Sequence, residues 1–283
     1  MTGGRGRRLR AAGVGLLILF GAGLAGPAQA APVSAQALPT VNMEAVVKAA
    51  QIDPRRPDTA PTPGAQASVL LVEQALDARN LLAPSYVDGH FGTRTIEAYA
   101  AYQRSLGYSG LDASGLPGRT SLQALGTDRY TVVRLLTPGS RLTYRGVTMN
   151  ARTKAMLLAA EGLLGRTLVV EQGSYNPGGD PTSAGTHDGG GALDIGVGGL
   201  TSTQRTTTVR RLREVGFAAW LRTPQQGDWP YHIHAIAVSD TDLSSSAQHQ
   251  AGDYYLGLNG LANRGPDDGP AVTKVTWEEY QRR

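Results

Sequence analysis

Residues 187–197 read His-Asp-Gly-Gly-Gly-Ala-Leu-Asp-Ile-Gly-Val. The second half, Ala192–Val197, is a short apolar run and reads as a strand. Asp194 sits inside that run, where a strand would hold its carboxylate rigidly. Imidazole nitrogen and carboxylate oxygen both ligate zinc at about 2.0–2.2 Å. For His187 and Asp194 to meet at one ion, the chain between them must turn sharply. Gly189, Gly190 and Gly191 supply that freedom, because glycine takes positive φ at little cost. A plain glycine-rich turn would look the same, so this stretch alone leaves both readings open.

A second stretch, residues 229–236, reads Trp-Pro-Tyr-His-Ile-His-Ala-Ile. On a strand, residues two apart share a face, so His232 and His234 project together while Ile233 and Ala235 face the other way. Two imidazoles on one face of a buried strand are costly without partners. A metal together with a proton-transfer role removes that cost. The chain has five histidines, and His90 and His249 lie in no such pattern and read as solvent-exposed.

Around these stretches the periodicity alternates between helix and strand. Arg152–Leu164 is amphipathic and closed by Gly165, and Thr167–Gln172 is a β-branched strand. Ser202–Val215 reads as a helix ended by Gly216, and Phe217–Leu221 and His232–Val238 as further strands. Helices and short strands in this order give an α+β domain around a small antiparallel sheet, placed at residues 151–283. No internal repeat is present. Trp220, Trp229, Tyr231 and Tyr254 are candidates for the cleft wall or for core packing.

The N-terminal half differs. Arg5, Arg7, Arg8 and Arg10 precede an apolar stretch from Ala11 to Gly26 and the small-residue motif Ala28-Gln29-Ala30. Residues 1–30 therefore read as a signal peptide cleaved after Ala30, which implies a secreted protein. The chain carries +4, and residues 1–30 hold four arginines and no acid, so the remainder is close to neutral. The sequence pI of about 9.4 then says nothing in favour of nucleic acid. With no cysteine, thiolate ligands and a Cys nucleophile are excluded, and a metal must be held by His and carboxylates. Residues 31–64, with Pro54, Pro57, Pro61 and Pro63, read as a flexible linker that includes a short helix near Met43–Ala50. Residues 65–126 read as a compact helical module, with helices near Val69–Leu76, Thr95–Gln103 and Ser121–Leu125 separated by Gly-rich turns. A second linker is placed at residues 127–150.

The module's Asp88, Gly89, Phe91, Gly92, Thr95, Tyr102, Gln103, Asp112, Gly115, Gly118 and Leu122 resemble the three-helix peptidoglycan-binding domain. It departs in Tyr102 for a Phe, in the spacing of Asp112 from Gly115, and in Leu122 for a Trp. In the second domain, His187, Gly190, Ala192 and Asp194, followed by His232 and His234, resemble the zinc metallopeptidases that include D-alanyl-D-alanine carboxypeptidases, lysostaphin-type endopeptidases and the hedgehog fold. This resemblance covers residues 151–238. It implies Zn²⁺ held by His187, Asp194 and His234, with His232 as catalytic base. Two departures stand out. Where relatives carry an acidic base three residues before the last ligand, this chain has Tyr231, which leaves the role to His232 or to Asp228. Where relatives carry a substrate-binding Arg before the first ligand, the chain reads Glu171-Gln172-Gly173, with Gln172 as a neutral donor. The implied function is a secreted, wall-associated zinc peptidase acting on peptidoglycan, with glycan strands and stem peptides as partners. No nucleic acid, and no membrane after signal cleavage, is expected; the oligomeric state is open. The alternatives are a non-catalytic wall-binding protein that keeps the fold, and a zinc-dependent wall amidase.

Overall fold

The computed structural model describes residue 1, residues 37–57 and residues 60–283. The expected signal peptide lies outside the described residues. In chain order the elements are β1 (Thr40–Asn42), α1 (Met43–Ile52), α2 (Gln66–Asp77), α3 (Thr93–Ser105), α4 (Arg119–Leu125), β2 (Thr131–Val133), β3 (Arg141–Tyr144) and β4 (Val147–Asn150). There follow α5 (Ala151–Leu164), β5 (Val170–Gln172), β6 (Ala192–Gly196), α6 (Ser202–Glu214), β7 (Phe217–Arg222), β8 (His232–Ala237), α7 (Ser245–Tyr255) and α8 (Trp277–Gln281). The class is α+β.

The largest sheet is four-stranded and antiparallel, in the order β5-β6-β8-β7. Alternation along its strands sorts two faces. Leu193, Ile195, Phe217, Ala219, Ile233 and Ala235 pack beneath α5 and α6 against Met156, Leu157, Val209 and Leu212. On the opposite face Ala192, Ala218, Trp220 and Ile236 join a second core. Local chemistry sets the ends of the covering helices. The Asn150 side chain accepts from Thr153 N–H at the start of α5, and Gly165 ends it in the left-handed conformation. Thr201 and Gln204 form a reciprocal capping box on α6.

The second core corrects the expected linkers. Residues 31–64 are not a spacer throughout, because Val41, Met43, Val46 and Val47 are fully buried on β1 and α1. Pro54, Pro57, Pro61 and Pro63 all follow α1, and the short helix expected near Met43–Ala50 is part of the core rather than of a spacer. Residues 127–150 are not a linker either. β2 pairs in parallel with β1, and β3 and β4 form a hairpin around Arg145-Gly146, both at positive φ, that leads straight into α5. Val69, Leu76, Phe91 and Tyr99 of the helical module share one core with Trp220, Ile236 and Tyr254. Arg55 adds a bidentate pair to buried Asp253 on α7, at 3.0 Å through each nitrogen.

The turn at Asp88-Gly89 is closed from below by Glu73 on α2. Its carboxylate accepts from the N–H of Asp88 (3.1 Å) and Gly89 (2.7 Å) and from the Thr95 hydroxyl (3.0 Å). His90, expected at the surface, is buried at 4% exposure within this turn, because Phe91 beside it anchors the turn in the core. No helix among the described residues is long and apolar enough to cross a membrane.

Burial raises the Glu73 carboxyl from its ordinary 4.5 to about 7, against the hydrogen bonds that favour its charged form. The folded state therefore holds a proton that the unfolded chain releases between about pH 4.5 and about 7. This contribution to stability is fully present below about pH 4.5 and is lost as pH rises through about 7. Chemical denaturation across that range should show the unfolding free energy declining with pH, with a shallower decline in Glu73→Gln. Identical slopes for the two proteins would contradict the assignment.

Candidate metal centre

The centre is built on the two middle strands. Antiparallel pairing sets Asp194 of β6 directly against His234 of β8, and Gly196 against His232. β5 adds a third residue through an irregularity. Val170 pairs with Ile195, but Gln172 pairs with Asp194, so Glu171 is an extra residue between them. A bulge of this kind re-aims the side chains that follow it. Val170 stays in the core under α5 and α6, while Gln172 turns to the face of Asp194.

His187 reaches the same face from the loop before β6. Only Gly191 of the three glycines takes positive φ, at 79°. The other two are required by space. A Cβ at Gly189 would lie 2.3 Å from the Asp242 carbonyl oxygen, and one at Gly190 would lie 2.7 Å from the Tyr175 hydroxyl. The loop is pinned by Tyr175 N–H to the Gly189 carbonyl and by Gly190 N–H to the Asp242 carbonyl, both 2.7 Å. The Tyr175 hydroxyl also donates to the Asp242 carboxylate at 2.5 Å, behind the loop.

The tautomers follow from the acceptors. His187 Nδ1 lies 2.8 Å from the Gly173 carbonyl and must carry the hydrogen. Its Nε2 is buried and faces Asp194 Oδ2 at 3.3 Å. His234 Nε2 lies 2.8 Å from the Gln250 side-chain amide, and its Nδ1 lies 2.7 Å from Asp194 Oδ1. Two imidazole nitrogens and a carboxylate thus converge, with possible ligating atoms all within 4.8 Å of one another. Electron pairs facing one another in a buried site repel unless a cation or a proton lies between them. The buried group His187, Asp194 and His234 could hold a metal ion, and its two nitrogens and one carboxylate oxygen are a donor set that fits one.

Electrostatics agree with this arrangement. Burial opposes charge on Asp194, but the neighbouring His234 and His187 outweigh it and hold its carboxyl well below its ordinary 3.8. Burial pushes His234 down to about 4, so its imidazole is neutral at pH 7. Burial also opposes protonation of His187, yet its hydrogen bond to Asp194 and the charge there raise it above 6.5. Without a cation, the carboxylate therefore draws a proton onto His187.

His232 lies beside these three residues. Its Nδ1 is 2.8 Å from the Pro230 carbonyl, and its Nε2 is 3.8 Å from Asp194 Oδ1. Trp229 meets its ring edge-on at 6.4 Å. These residues line a cleft of about 560 Å³ with Gln172, Asp228 and Gln250. Gln172 Nε2 is buried there without a partner among the described residues, whereas Asp228 is exposed at the mouth. Tyr231 is 42% exposed, and Trp220 and Tyr254 belong to the core rather than to the cleft wall.

Sequence reading missed two residues. Arg222 ends β7, pairs with His232 and is only 3% exposed in the cleft wall. One guanidinium nitrogen, Nη1, donates to the Asn259 carbonyl at 2.8 Å, and Trp220 packs against the group at 4.9 Å. Nη2 is buried with no hydrogen-bond partner among the described residues. Burial lowers its pKa to about 10, so Arg222 stays charged at pH 7. Alternation from Trp220 places Arg222 on the histidine face, but only once β7 is known to pair with β8. The other missed residue is Gln250 on α7, which holds the far side of His234.

Comparison of the chain with known protein families, curated proteins and solved structures finds no match.

Chelator-stripped protein titrated with zinc should gain thermal stability, by about 2.7 kcal/mol at a free concentration a hundred times Kd. His187→Ala should abolish the gain. Gln250→Leu should weaken zinc affinity about 10- to 100-fold, the usual size of an outer hydrogen-bond partner's effect. Affinity unchanged in Gln250→Leu would show that His234 does not depend on it.

Proposed function

We propose that this chain is a zinc peptidase of the bacterial cell wall, secreted and held on peptidoglycan. The observation that carries the reading is the convergence of His187 Nε2, His234 Nδ1 and an Asp194 oxygen in a cleft that also holds His232 and a buried, unpartnered Arg222 nitrogen. Two imidazoles and a carboxylate suit zinc, and three protein ligands are the number typical of catalytic rather than structural sites. A zinc ion there would supply Lewis acidity to a water molecule and to the scissile carbonyl.

The chain's own residues account for the rest of the hydrolysis. His232 Nε2 takes the water proton, and the Nδ1–H bond to the Pro230 carbonyl steadies the imidazolium that results. As the water oxygen bonds to the carbonyl carbon and the C–N bond breaks, His232 returns the proton to the leaving amine. Arg222 Nη2 and Gln172 Nε2 are, with Trp229 Nε1, donors of the cleft that are buried without a partner among the described residues, and the first two hold substrate oxygen as negative charge develops. The arginine that similar peptidases carry before their first ligand is absent, and Arg222 supplies that charge from β7. The role falls to His232, whose Nε2 lies 3.8 Å from Asp194 Oδ1, and not to Asp228, which is exposed at the mouth. The peptidoglycan-binding resemblance of residues 65–126 supports the polymer as substrate, and residues 1–30 support export.

Purified peptidoglycan digested with the zinc-loaded protein should yield new peptide ends by mass spectrometry, absent with His187→Ala. Muramic acid freed of peptide would indicate an amidase, and intact wall would overturn the reading. His232→Ala should retain zinc and slow turnover by about two to four orders of magnitude. Arg222→Gln should lower kcat/KM about 10²- to 10³-fold, as for loss of one transition-state donor.

A further inference from the structure

A second cleft, about 540 Å³, runs along the seam between the helical module and the sheet-bearing half. This falls within the roughly 300–1,000 Å³ of ligand pockets, which favour junctions of this kind. Tyr108, Asp112 and Arg119 line one side, and Arg141, Tyr175 and Asp188 the other. The two sides cannot drift apart, because both halves share one core and the Arg55–Asp253 pair. The Asp112 turn is the part of the module's sequence pattern that the catalytic cleft leaves unused.

Three features narrow the occupant. The wall is rich in side chains that hydrogen-bond to hydroxyl and amide groups, with Ser114, Thr137 and Thr241 beside the carboxylates. Its charges are mixed: Arg119 and Arg141 lie among Asp112, Asp188 and Asp242, which suits neither a polyanion nor a polycation. Tyr108 and Tyr175 line the cleft as aromatic rings, and the Arg141 guanidinium lies over Tyr175 at 3.7 Å. Hydroxyl and acetamido groups on a ring with an apolar C–H face meet all three features.

The seam cleft and the catalytic cleft are separated by one loop. Thr186 and His187 line the catalytic side, and Asp188 and Gly189 line the seam. Resting on the wall-peptidase reading, we propose that the seam binds a glycan strand of N-acetylated amino sugars. A stem peptide branching from that strand then enters the catalytic cleft past the His187 loop. Both halves of the chain contribute to one binding site.

The test is binding of the zinc-loaded protein to glycan strands stripped of peptide, with free stem peptides as the comparison ligand. The probe variant combines Tyr108→Ala, Asp112→Asn and Arg119→Gln. Asp112 and Arg119 are exposed, Tyr108 is half-buried, and none of the three contacts the metal centre. Zinc content and thermal midpoint report that the variant folds, and Arg141→Ala on the opposite wall serves as an independent second variant. The glycan strands should bind the unaltered protein and bind each variant at least tenfold more weakly. Hydrolysis of a short soluble peptide should be unchanged. Absence of glycan binding, or binding equal in both variants and the unaltered protein, would overturn the proposal. Stem peptides displaced by the seam variants in place of glycan would overturn it too. Should the protein cleave no wall substrate while glycan binding is still lost in the variants, the peptidase reading falls and the seam assignment stands.

Discussion

The antiparallel register of β6 against β8 is the constraint on which the centre depends. Pairing Asp194 with His234 brings a carboxylate and an imidazole to 2.7 Å on one face of a buried sheet. A slip of one residue would send both into the apolar layer under α5 and α6. That layer, with Leu193, Ile195, Ile233 and Ala235 on the other face, is what forbids the slip. Burial energy on one side of the sheet thus fixes polar geometry on the other.

Everything else around the centre adjusts donors to that pair. The Gly173 carbonyl selects the His187 tautomer, the Pro230 carbonyl selects that of His232, and Gln250 holds the far nitrogen of His234. Each leaves the other ring nitrogen directed toward Asp194. The glycine-rich loop brings His187 close enough only because Gly189 and Gly190 leave room for Asp242 and Tyr175. Arg222, at the end of β7, adds a buried positive charge whose second nitrogen has no hydrogen-bond partner among the described residues. The same loop is the partition between two clefts, so the support of His187 and the wall of the seam are one structure.

Much of this was legible in the sequence because the relevant patterns are local. Strands β6, β7 and β8 and helices α5 and α6 announce themselves through alternation, caps and Gly stops, and the His-x-His pair follows from period two. What was hidden depends on contacts distant in the chain. The extra residue at Glu171, which turns Gln172 toward Asp194, arises from pairing and not from composition. Helix α7 buries Ala247, Ala251 and Tyr254 with no Leu or Ile stripe, so neither it nor Gln250 stood out. Helix α1 has a clear apolar face, but the prolines after it gave its neighbourhood the character of a spacer. The shared core of the two halves could not be inferred from either half alone.

Anomalous diffraction from crystals of the zinc-loaded protein, recorded on both sides of the zinc absorption edge, tests the central claim most directly. A single strong peak should lie within about 2.0–2.2 Å of His187 Nε2, His234 Nδ1 and an Asp194 oxygen. Gln250 should remain on His234 Nε2. A peak elsewhere, or zinc bound through His234 Nε2 with Gln250 displaced, would contradict the arrangement of donors on which the proposed chemistry rests.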